Sequence, residues 1–158
     1  MASSEKNLSS YTDKNTSEVI DKRLAVIVSE WNDDITDALY QGVLDTLVEH
    51  GVQKSNIIRR DVPGSFELTL AAQWMAQLDD IDAVICLGCI IKGETKHDEY
   101  ISNAVAQGIT NVGLKYNKPV IFGVLTPNTK QQALDRAGGK HGNKGDEAAI
   151  TAIKMLGF

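Results

Sequence analysis

The stretch LGCIIKGETKHDEYI, which begins at Leu87, places His97 where a strand-like hydrophobic run gives way to a helical pattern. Gly93 precedes this helix, and the free amides at a helix N-terminus suit a phosphate. Thr95, followed three positions later by Asp98, also fits a helix-capping pattern, which purely local reasoning favours. Capping explains Thr95 and leaves His97 without a role. The segment is therefore a candidate anion site beside an unexplained imidazole.

Two earlier loops carry side chains suited to an organic ligand. The loop SEWN holds Trp31 and Asn32, and Trp31 either caps the core or forms a surface plate on which a planar ligand stacks. The loop PGSFE holds Phe66 and Glu67, which fit the first turn of a helix whose dipole favours Glu67. In the alternative interpretation, Glu67 accepts hydrogen bonds from ligand hydroxyls. The residues alone leave both alternatives open.

A cationic cluster late in the chain comprises Arg136, Lys140 and Lys144. The glycines among them are Gly138, Gly139, Gly142 and Gly145. In isolation this pattern predicts the end of a helix, where cations complement the dipole, and then a flexible turn. His141 in the same turn is expected to be solvated.

The two cysteines, Cys86 and Cys89, have the CxxC spacing of a redox or half-zinc motif. They lie inside the hydrophobic run DAVICLGCIIKG rather than at a helix N-terminus, and no second Cys/His pair completes a four-ligand site. We therefore expect buried, reduced thiols, which fit a reducing compartment.

Hydrophobic periodicity predicts the elements that position these residues. Ile35, Leu39, Val43 and Leu47 recur every fourth residue and indicate an amphipathic helix that ends near Gly51. The other predicted helices are PGSFELTLAAQWMAQ, HDEYISNAVAQGITNVGLKY, a segment around TKQQALDRA, and KGDEAAITAIKML. The predicted strands are RLAVIVS, NIIRRDV, DAVICLGCII and PVIFGVLT.

This alternation predicts the α/β class, with right-handed βαβ crossovers. The expected fold is a three-layer α/β/α sandwich, a flavodoxin-like parallel four-stranded sheet with helices on both faces. Ligands of such sheets bind beyond the carboxyl ends of the strands. The predicted strand ends are Ser29, Val62, Ile91 and Thr126. The ends are followed by the loops SEWN, PGSFE, KGETKH and TPNT, so we expect the site at this edge of the sheet.

The 158 residues, of which 42% are hydrophobic, are expected to form one domain over residues 18–158. Residues 1–17 are rich in serine and poor in large apolar residues, which predicts a flexible N-terminal arm, or an arm that becomes ordered only against a neighbouring chain. The net charge of -5 gives no sequence-wide basic signal for nucleic acid or an anionic membrane. No apolar run reaches the roughly 20 residues of a membrane helix, and no targeting pattern stands at the N-terminus. We therefore expect a cytoplasmic protein.

Six motifs in order resemble those of the lumazine synthase family, which acts in the penultimate step of riboflavin biosynthesis. They are SEWN, PGSFELTLAA, LGCIIKGETKHDEYI, IFGVLT, QALDRAGGKHGNKG and AAITAIKM. The resemblance runs from about Arg23 to Leu156. It implies condensation of 5-amino-6-ribitylamino-uracil with 3,4-dihydroxy-2-butanone 4-phosphate, without a metal or organic cofactor. The products would be 6,7-dimethyl-8-ribityllumazine, phosphate and water.

The resemblance also assigns roles to individual residues. Trp31 would stack on the pyrimidinedione, and Asn32 would lie beside the ribityl chain. The ribityl hydroxyls would be held by Ser65, Phe66 and Glu67, with Glu67 as acceptor. The polar edge of the ring would meet backbone groups of Ile90 and Ile91, with Phe122 beside it.

At the phosphate end, the resemblance implies a cradle formed by Gly93, Glu94 and Thr95. Arg136 would reach the phosphate from a neighbouring subunit, and Lys144 would sit close to the same site. This chain has Glu94 and Lys96 where the family has a small residue and proline. A carboxylate beside a phosphate is unfavourable unless it points away.

By the same resemblance, His97 would carry protons during imine formation, phosphate elimination and ring closure. The substrate amine is itself the nucleophile, so positioning supplies much of the rate and no enzyme nucleophile is needed. The family forms homo-oligomers, either pentamers or hollow shells of sixty subunits, and riboflavin synthase is a further expected partner. The turn AGGKHGNKG lacks the insertion of members that stop at pentamers, which favours the shell.

Other classes fit less well. A flavodoxin-like flavin-binding module needs a phosphate loop rich in Ser, Thr and Gly after its first strand, whereas SEWNDD is acidic. A receiver-type switch could use Glu30, Asp33 and Asp34 as its acidic cluster, but it needs a phosphorylatable Asp at the end of the third strand, where this chain has IIKG. A structural shell protein is compatible with the enzyme interpretation.

Overall fold

The structure, a computed structural model, describes residues 19–158, so the predicted N-terminal arm lies outside the described residues. The strands of the main sheet are β1 (Leu24–Ser29), β2 (Ile57–Val62), β3 (Ala83–Cys89) and β4 (Val120–Leu125). They are all parallel and lie in the order β2-β1-β3-β4. The register pairs Ser29 with Val62, and Cys89 with Leu125. The carboxyl ends of neighbouring strands therefore meet at one edge.

The helices of the described residues are α1 (Asp33–Glu49), α2 (Leu68–Ala76), α3 (His97–Tyr116), α4 (Lys130–Leu134) and α5 (Lys144–Leu156). Helices α1 and α5 pack on one face of the sheet, and α2 and α3 pack on the other. The predicted flavodoxin-like three-layer sandwich is confirmed.

The hydrophobic pattern follows from this layering. Every residue of β1 is buried, because helices exclude water from both faces of a parallel sheet. The four-residue repeat from Ile35 to Leu47 is fully buried as well, and α1 ends at Glu49, close to the predicted Gly51. Each such aliphatic side chain contributes about 1.5–3 kcal/mol on burial. These apolar stripes hold the helices against the sheet and fix where the strand-end loops emerge.

Helices α1 and α5 cross in direct backbone contact. A Cβ added to Gly145 would lie 2.0 Å from the Leu39 carbonyl oxygen, so the crossing has no room for a side chain. The contact locks the first turn of α5, where Lys144 stands, against the middle of α1. The position of Lys144 is thereby tied to the core.

The glycine-rich segment differs from the prediction. Helix α4 ends at Leu134, and the chain then forms an antiparallel hairpin of β5 (Ala137–Gly139) and β6 (Gly142–Asn143) instead of a flexible turn. Gly138 and Gly142 have φ values of 103° and 73°, which glycine adopts without steric cost. Glycine permits a loose turn and a tight hairpin alike, so composition could not separate them.

The tip of this hairpin is tied back to the fold. The His141 N–H donates to the Asp135 carbonyl at 2.8 Å, and the histidine is half-buried rather than fully solvated. The hairpin is thus an ordered connection between α4 and α5.

Candidate active site

Three loops meet at the carboxyl edge of the sheet, after β1, β2 and β3. The Trp31 N–H donates to the Pro63 carbonyl at 3.3 Å, which ties the first loop to the second. The Asn32 side-chain amide donates to the Cys89 carbonyl at 2.9 Å, which ties the first loop to the third. The predicted clustering of these loops at one edge is confirmed.

Asn32 sets the course of the first loop. It has φ 63° and ψ 49°, the left-handed region that asparagine tolerates better than most residues, and it is the N-cap of α1. Trp31 next to it is 73% exposed, so the interpretation of Trp31 as a cap on the core is wrong. An exposed indole on a loop anchored at both ends is a suitable stacking plate for a planar ligand.

The second loop forms a 3-10 turn, Ser65–Glu67, directly before α2. Ser65 is 7% exposed and its hydroxyl is turned toward the sheet, whereas Phe66 is 58% exposed and Glu67 is also exposed. Glu67 is the N-cap residue of α2, where the dipole favours its carboxylate, but its side chain makes no capping hydrogen bond. The Glu67 carboxylate therefore remains available to accept hydrogen bonds from a ligand.

The third loop leads into α3 and is exposed from Lys92 to His97. The capping pattern is realised only in part: the Thr95 hydroxyl accepts from the His97 N–H at 3.4 Å, but Lys96 is the N-cap residue. Asp98 reaches back to the Gly93 N–H, at 3.3 Å, and makes no return bond to Thr95. An anion at Gly93 has to compete with this carboxylate.

The charges around this loop are nearly balanced. Lys92 and Lys96 are exposed, and the carboxylates of Glu94, Asp98 and Glu99 lie on the same short stretch. Helix α3 is 20 residues long and adds about half a positive charge at its N-terminus. A phosphate here therefore needs a further cation for tight binding.

Arg136 and Lys144 lie side by side, because the Lys144 N–H donates to the Arg136 carbonyl at 2.8 Å. The Lys144 ammonium pairs at 2.5 Å with the carboxylate of Glu147, which is itself buried. Arg136 donates from Nη1 to the Gln132 carbonyl at 2.9 Å, as the helix-end interpretation predicts. A guanidinium has five N–H donors, so this bond leaves Arg136 with capacity for an anion.

The residues expected at the polar edge of the substrate ring do not all lie at the carboxyl edge of the sheet. Ile90 and Ile91 follow β3 directly and are half-buried, but the Ile90 N–H already donates to the Leu125 carbonyl at 2.8 Å. Phe122 pairs with Cys86 in the middle of β4, three residues before the strand end at Leu125. It therefore lies about 10 Å below the edge at roughly 3.3 Å per residue. The fold does not bring Phe122 to the loops of its own chain.

An acidic cleft of about 360 Å³ flanks the first loop on the α1 side. It is lined by Ser29, Glu30, Asp33, Thr36, Asp37, Arg59 and Asp61. Partial burial opposes the charge of Arg59, but hydrogen bonds to Asp61 and Asp37 outweigh it and raise the pKa of Arg59. The carboxylates outnumber this single cation, so the cleft is unsuited to a phosphate. The N-terminus of α3 therefore remains the candidate anion site at this edge.

The cysteines do not supply a nucleophile. Both are free and buried, as predicted, and burial raises the pKa of Cys86 to about 12. Burial, with a smaller contribution from the Asp34 carboxylate, raises the pKa of Cys89 to about 11. Within residues 19–158, no group of three or more His, Cys, Asp or Glu side chains could hold a metal ion. No helix in that part of the chain could span a membrane.

The chain is an α/β protein with a flavodoxin-like sheet, and the carboxyl edge of that sheet holds an exposed aromatic side chain and a helix N-terminus, a candidate site for a planar ligand beside an anion. The comparison with protein families narrows the class: a family model described as 6,7-dimethyl-8-ribityllumazine synthase matches residues 21–158. The chain belongs to the 6,7-dimethyl-8-ribityllumazine synthase family.

Curated relatives agree with this assignment. The chain is 60% identical over 156 residues to the 6,7-dimethyl-8-ribityllumazine synthase of Cytophaga hutchinsonii, which covers 99% of this chain and 98% of the relative. It is 51% identical over 158 residues to that of Porphyromonas gingivalis, and the alignment covers 100% of this chain and 98% of the relative. It is 49% identical over 158 residues to that of Parabacteroides distasonis, and the alignment covers 100% of this chain and 99% of the relative.

Proposed function

We propose that this chain condenses 5-amino-6-ribitylamino-uracil with 3,4-dihydroxy-2-butanone 4-phosphate to 6,7-dimethyl-8-ribityllumazine, the penultimate step of riboflavin biosynthesis. The observation that carries the proposal is the meeting of three loops at one sheet edge, in a chain that matches the family from residue 21 to residue 158. One loop offers an aromatic plate, one a free carboxylate, and one a helix N-terminus. These suit the ring, the ribityl hydroxyls and the phosphate.

The uracil half binds at the first two loops. The exposed Trp31 indole stacks on the ring, and the Asn32 carbonyl oxygen faces the ribityl chain because its amide group is held by Cys89. The Phe66 and Glu67 side chains project from the 3-10 turn, and Glu67 accepts from ribityl hydroxyls. Backbone groups of Ile90 and Ile91, other than the engaged Ile90 N–H, meet the polar edge of the ring.

The phosphate half binds at the N-terminus of α3. Gly93 and Thr95 supply main-chain N–H groups and a hydroxyl, and Glu94 lies alongside with its carboxylate directed away from the anion. Arg136 supplies the further cation, since Lys144 is largely neutralised by Glu147. Lys144 holds the Arg136 backbone in place next to the site.

His97 moves protons at the junction of the two halves. It is the first residue of α3, is exposed and directly follows the proposed phosphate cradle, which supports a role for its imidazole between the phosphate and the condensing amine. The uracil amine attacks the ketone carbonyl, and water, phosphate and a second water leave as the new ring closes. Each departure needs a proton delivered or removed near neutral pH, which suits an imidazole.

The active unit is a homo-oligomer, at least a pentamer, and we favour a sixty-subunit shell because the hairpin between α4 and α5 is short. An apolar stripe supports assembly: Phe66, Leu70, Trp74 and Leu78 recur every fourth residue on the outer face of α2 and its flanks, and each is at least 41% exposed. Contiguous exposed apolar surface of this kind marks an interface. Across such an interface, Phe122 and Arg136 can serve the site of a neighbouring subunit.

The enzyme acts in the cytoplasm, which the two free thiols support, and riboflavin synthase is the enzyme that would consume its product. The decisive experiment mixes the two named substrates with the purified protein and follows the fluorescence of the lumazine product. We expect turnover without added metal, and folded protein that forms no product would overturn the proposal. Analytical ultracentrifugation tests assembly separately, and a monomer at micromolar concentration would exclude both oligomers.

A further inference from the structure

Ser65 rests on Gly88 with no room for a side chain between them. A Cβ added to Gly88 would lie 2.6 Å from the Ser65 Oγ and 3.0 Å from the Leu68 Cδ1, whereas ordinary contact begins at 3.4 Å. Gly88 is the penultimate residue of β3, and its free side faces α2 and α3, as do Val84 and Cys86 four and two positions earlier. The serine therefore fills the space that a side chain at position 88 would occupy.

This contact sets the height of the 3-10 turn above the sheet. Ser65 is the buried residue of the turn, and Phe66 and Glu67 follow it into solvent. Glu67 is folded over the same turn, because a Cβ on Gly64 would lie 3.1 Å from the Glu67 Oε2. Any displacement of Ser65 away from the sheet moves both exposed side chains with it.

We propose that Gly88 is a positioning residue for the ribityl half of the site. Its missing side chain lets Ser65 reach the sheet, and this seat fixes Phe66 and Glu67 where they meet the ribityl hydroxyls. The inference rests on the proposed function, because it uses the uracil substrate to read out the position of the turn. Gly88 itself touches no substrate.

An alanine at position 88 has to displace Ser65 by about 0.8 Å to restore ordinary contact. Misplacement by about 1 Å can cost about 10²-fold in catalysis. The phosphate loop is held by different bonds, from the Ile90 N–H to Leu125 and from the Lys92 N–H to Pro127. The disturbance should therefore be confined to the uracil half.

The test is a steady-state comparison of Gly88→Ala with the unmodified chain, varying each substrate in turn. We expect the KM for the ribitylamino-uracil to rise at least about tenfold, and the KM for the phosphorylated ketone to stay within about twofold. In a Ser65→Gly background the serine side chain no longer blocks the alanine, and only the end of the Leu68 side chain, at 3.0 Å, has to give way, so Gly88→Ala should add less than about twofold. The proposal is overturned if Gly88→Ala raises both KM values equally. It is also overturned if the effects of Gly88→Ala and Ser65→Gly on the KM for the uracil are fully additive in the double variant.

Gly108→Ala is the matched control. A Cβ there would lie 2.5 Å from Thr69 on α2, so it crowds the same helical layer without touching Ser65. It should lower the thermal midpoint and leave both KM values unchanged. A selective rise in the KM for the uracil, like that expected for Gly88→Ala, would count against a specific role of the contact between Ser65 and Gly88.

Two further outcomes are separable. If the unmodified chain forms no lumazine, the proposed function fails, whereas turnover with a Gly88→Ala variant of normal KM rejects the positioning role alone. If Gly88→Ala does not fold, the Gly88→Ala/Ser65→Gly double variant should fold, as followed by circular dichroism, and should keep the KM of Ser65→Gly. A double variant that is also unfolded overturns the proposal, because the crowding then lies elsewhere.

Discussion

Replacing Asn32 with alanine should weaken the protein through two separate losses. Alanine lacks the amide that donates to the Cys89 carbonyl at 2.9 Å, and a hydrogen bond of this kind contributes about 1 kcal/mol net. Alanine is also strained at φ 63°, where residues other than glycine and asparagine lose roughly 1–2 kcal/mol. We expect the free energy of unfolding to fall by about 2–3 kcal/mol in Asn32→Ala.

Asn32→Gly separates the two losses. Glycine adopts the left-handed conformation freely and lacks the amide, so it should cost about 1 kcal/mol. Asn32→Asp keeps much of the backbone tolerance but points a carboxylate at the Cys89 carbonyl, so repulsion adds to the lost hydrogen bond and the cost should exceed that of Asn32→Gly. Urea denaturation followed by circular dichroism, at one protein concentration, gives all three values. Equal costs for the alanine and glycine variants would refute the backbone argument, and an unchanged stability in Asn32→Gly would refute the hydrogen-bond argument.

The remaining predictions concern proton transfer, the phosphate, pH and a buried hydroxyl. His97→Ala should lower the rate at saturating substrates by about 10²-fold with assembly unchanged, and a wild-type rate from pH 6 to pH 8 would make His97 a surface residue. Arg136→Lys should raise the KM for the phosphorylated ketone more than for the uracil, because lysine lacks the planar fork, and small equal effects would favour a helix-end role. Burial raises the pKa of Asp146, and nearby carboxylates add to the effect, so stability is lost as pH rises through its folded pKa. The Asp146→Asn variant should therefore be more stable than the unmodified chain at pH 7. In urea titrations at acid pH, the difference in free energy of unfolding between the two proteins should disappear. The Ser29 Oγ is buried without a hydrogen-bond partner in the described chain, so Ser29→Ala should raise the free energy of unfolding by about 1 kcal/mol, and a loss of that size would indicate a hidden partner.

Helices α3 and α5 begin and end where the hydrophobic pattern places them. Their signals are strong because a packed helix needs apolar residues on one face, and each helix is followed by a residue that favours a helix end, Asn117 after α3 and Gly157 after α5. Strand β3 ends at Cys89, two residues before the predicted Ile91. The hydrophobicity of Ile90 and Ile91 continues past the hydrogen-bonded ladder, since both still pack against the core. Hydrophobicity reports burial, and burial does not require strand geometry.

The site was predictable to the level of loops but not of individual contacts. The rule that ligands bind at strand carboxyl ends selects the three loops correctly. It gives no sign that Asp98 would occupy the Gly93 N–H, or that Glu147 would neutralise Lys144. Both pairings depend on the orientation of a helix start, which periodicity leaves undefined by a residue or two.

These two pairings change how the phosphate is expected to bind. The α3 loop carries three carboxylates, and their negative charge offsets the positive charge of its two lysines and of the helix dipole. The loop alone therefore offers a phosphate dianion little net attraction. Lys144 adds little, because its charge is compensated by a buried glutamate at 2.5 Å. Arg136 has unused donors, and the proposed interface is what would bring it to the loop. Phosphate affinity should therefore depend on assembly as well as on Arg136, and a variant that dissociates should lose the phosphorylated ketone before it loses the uracil.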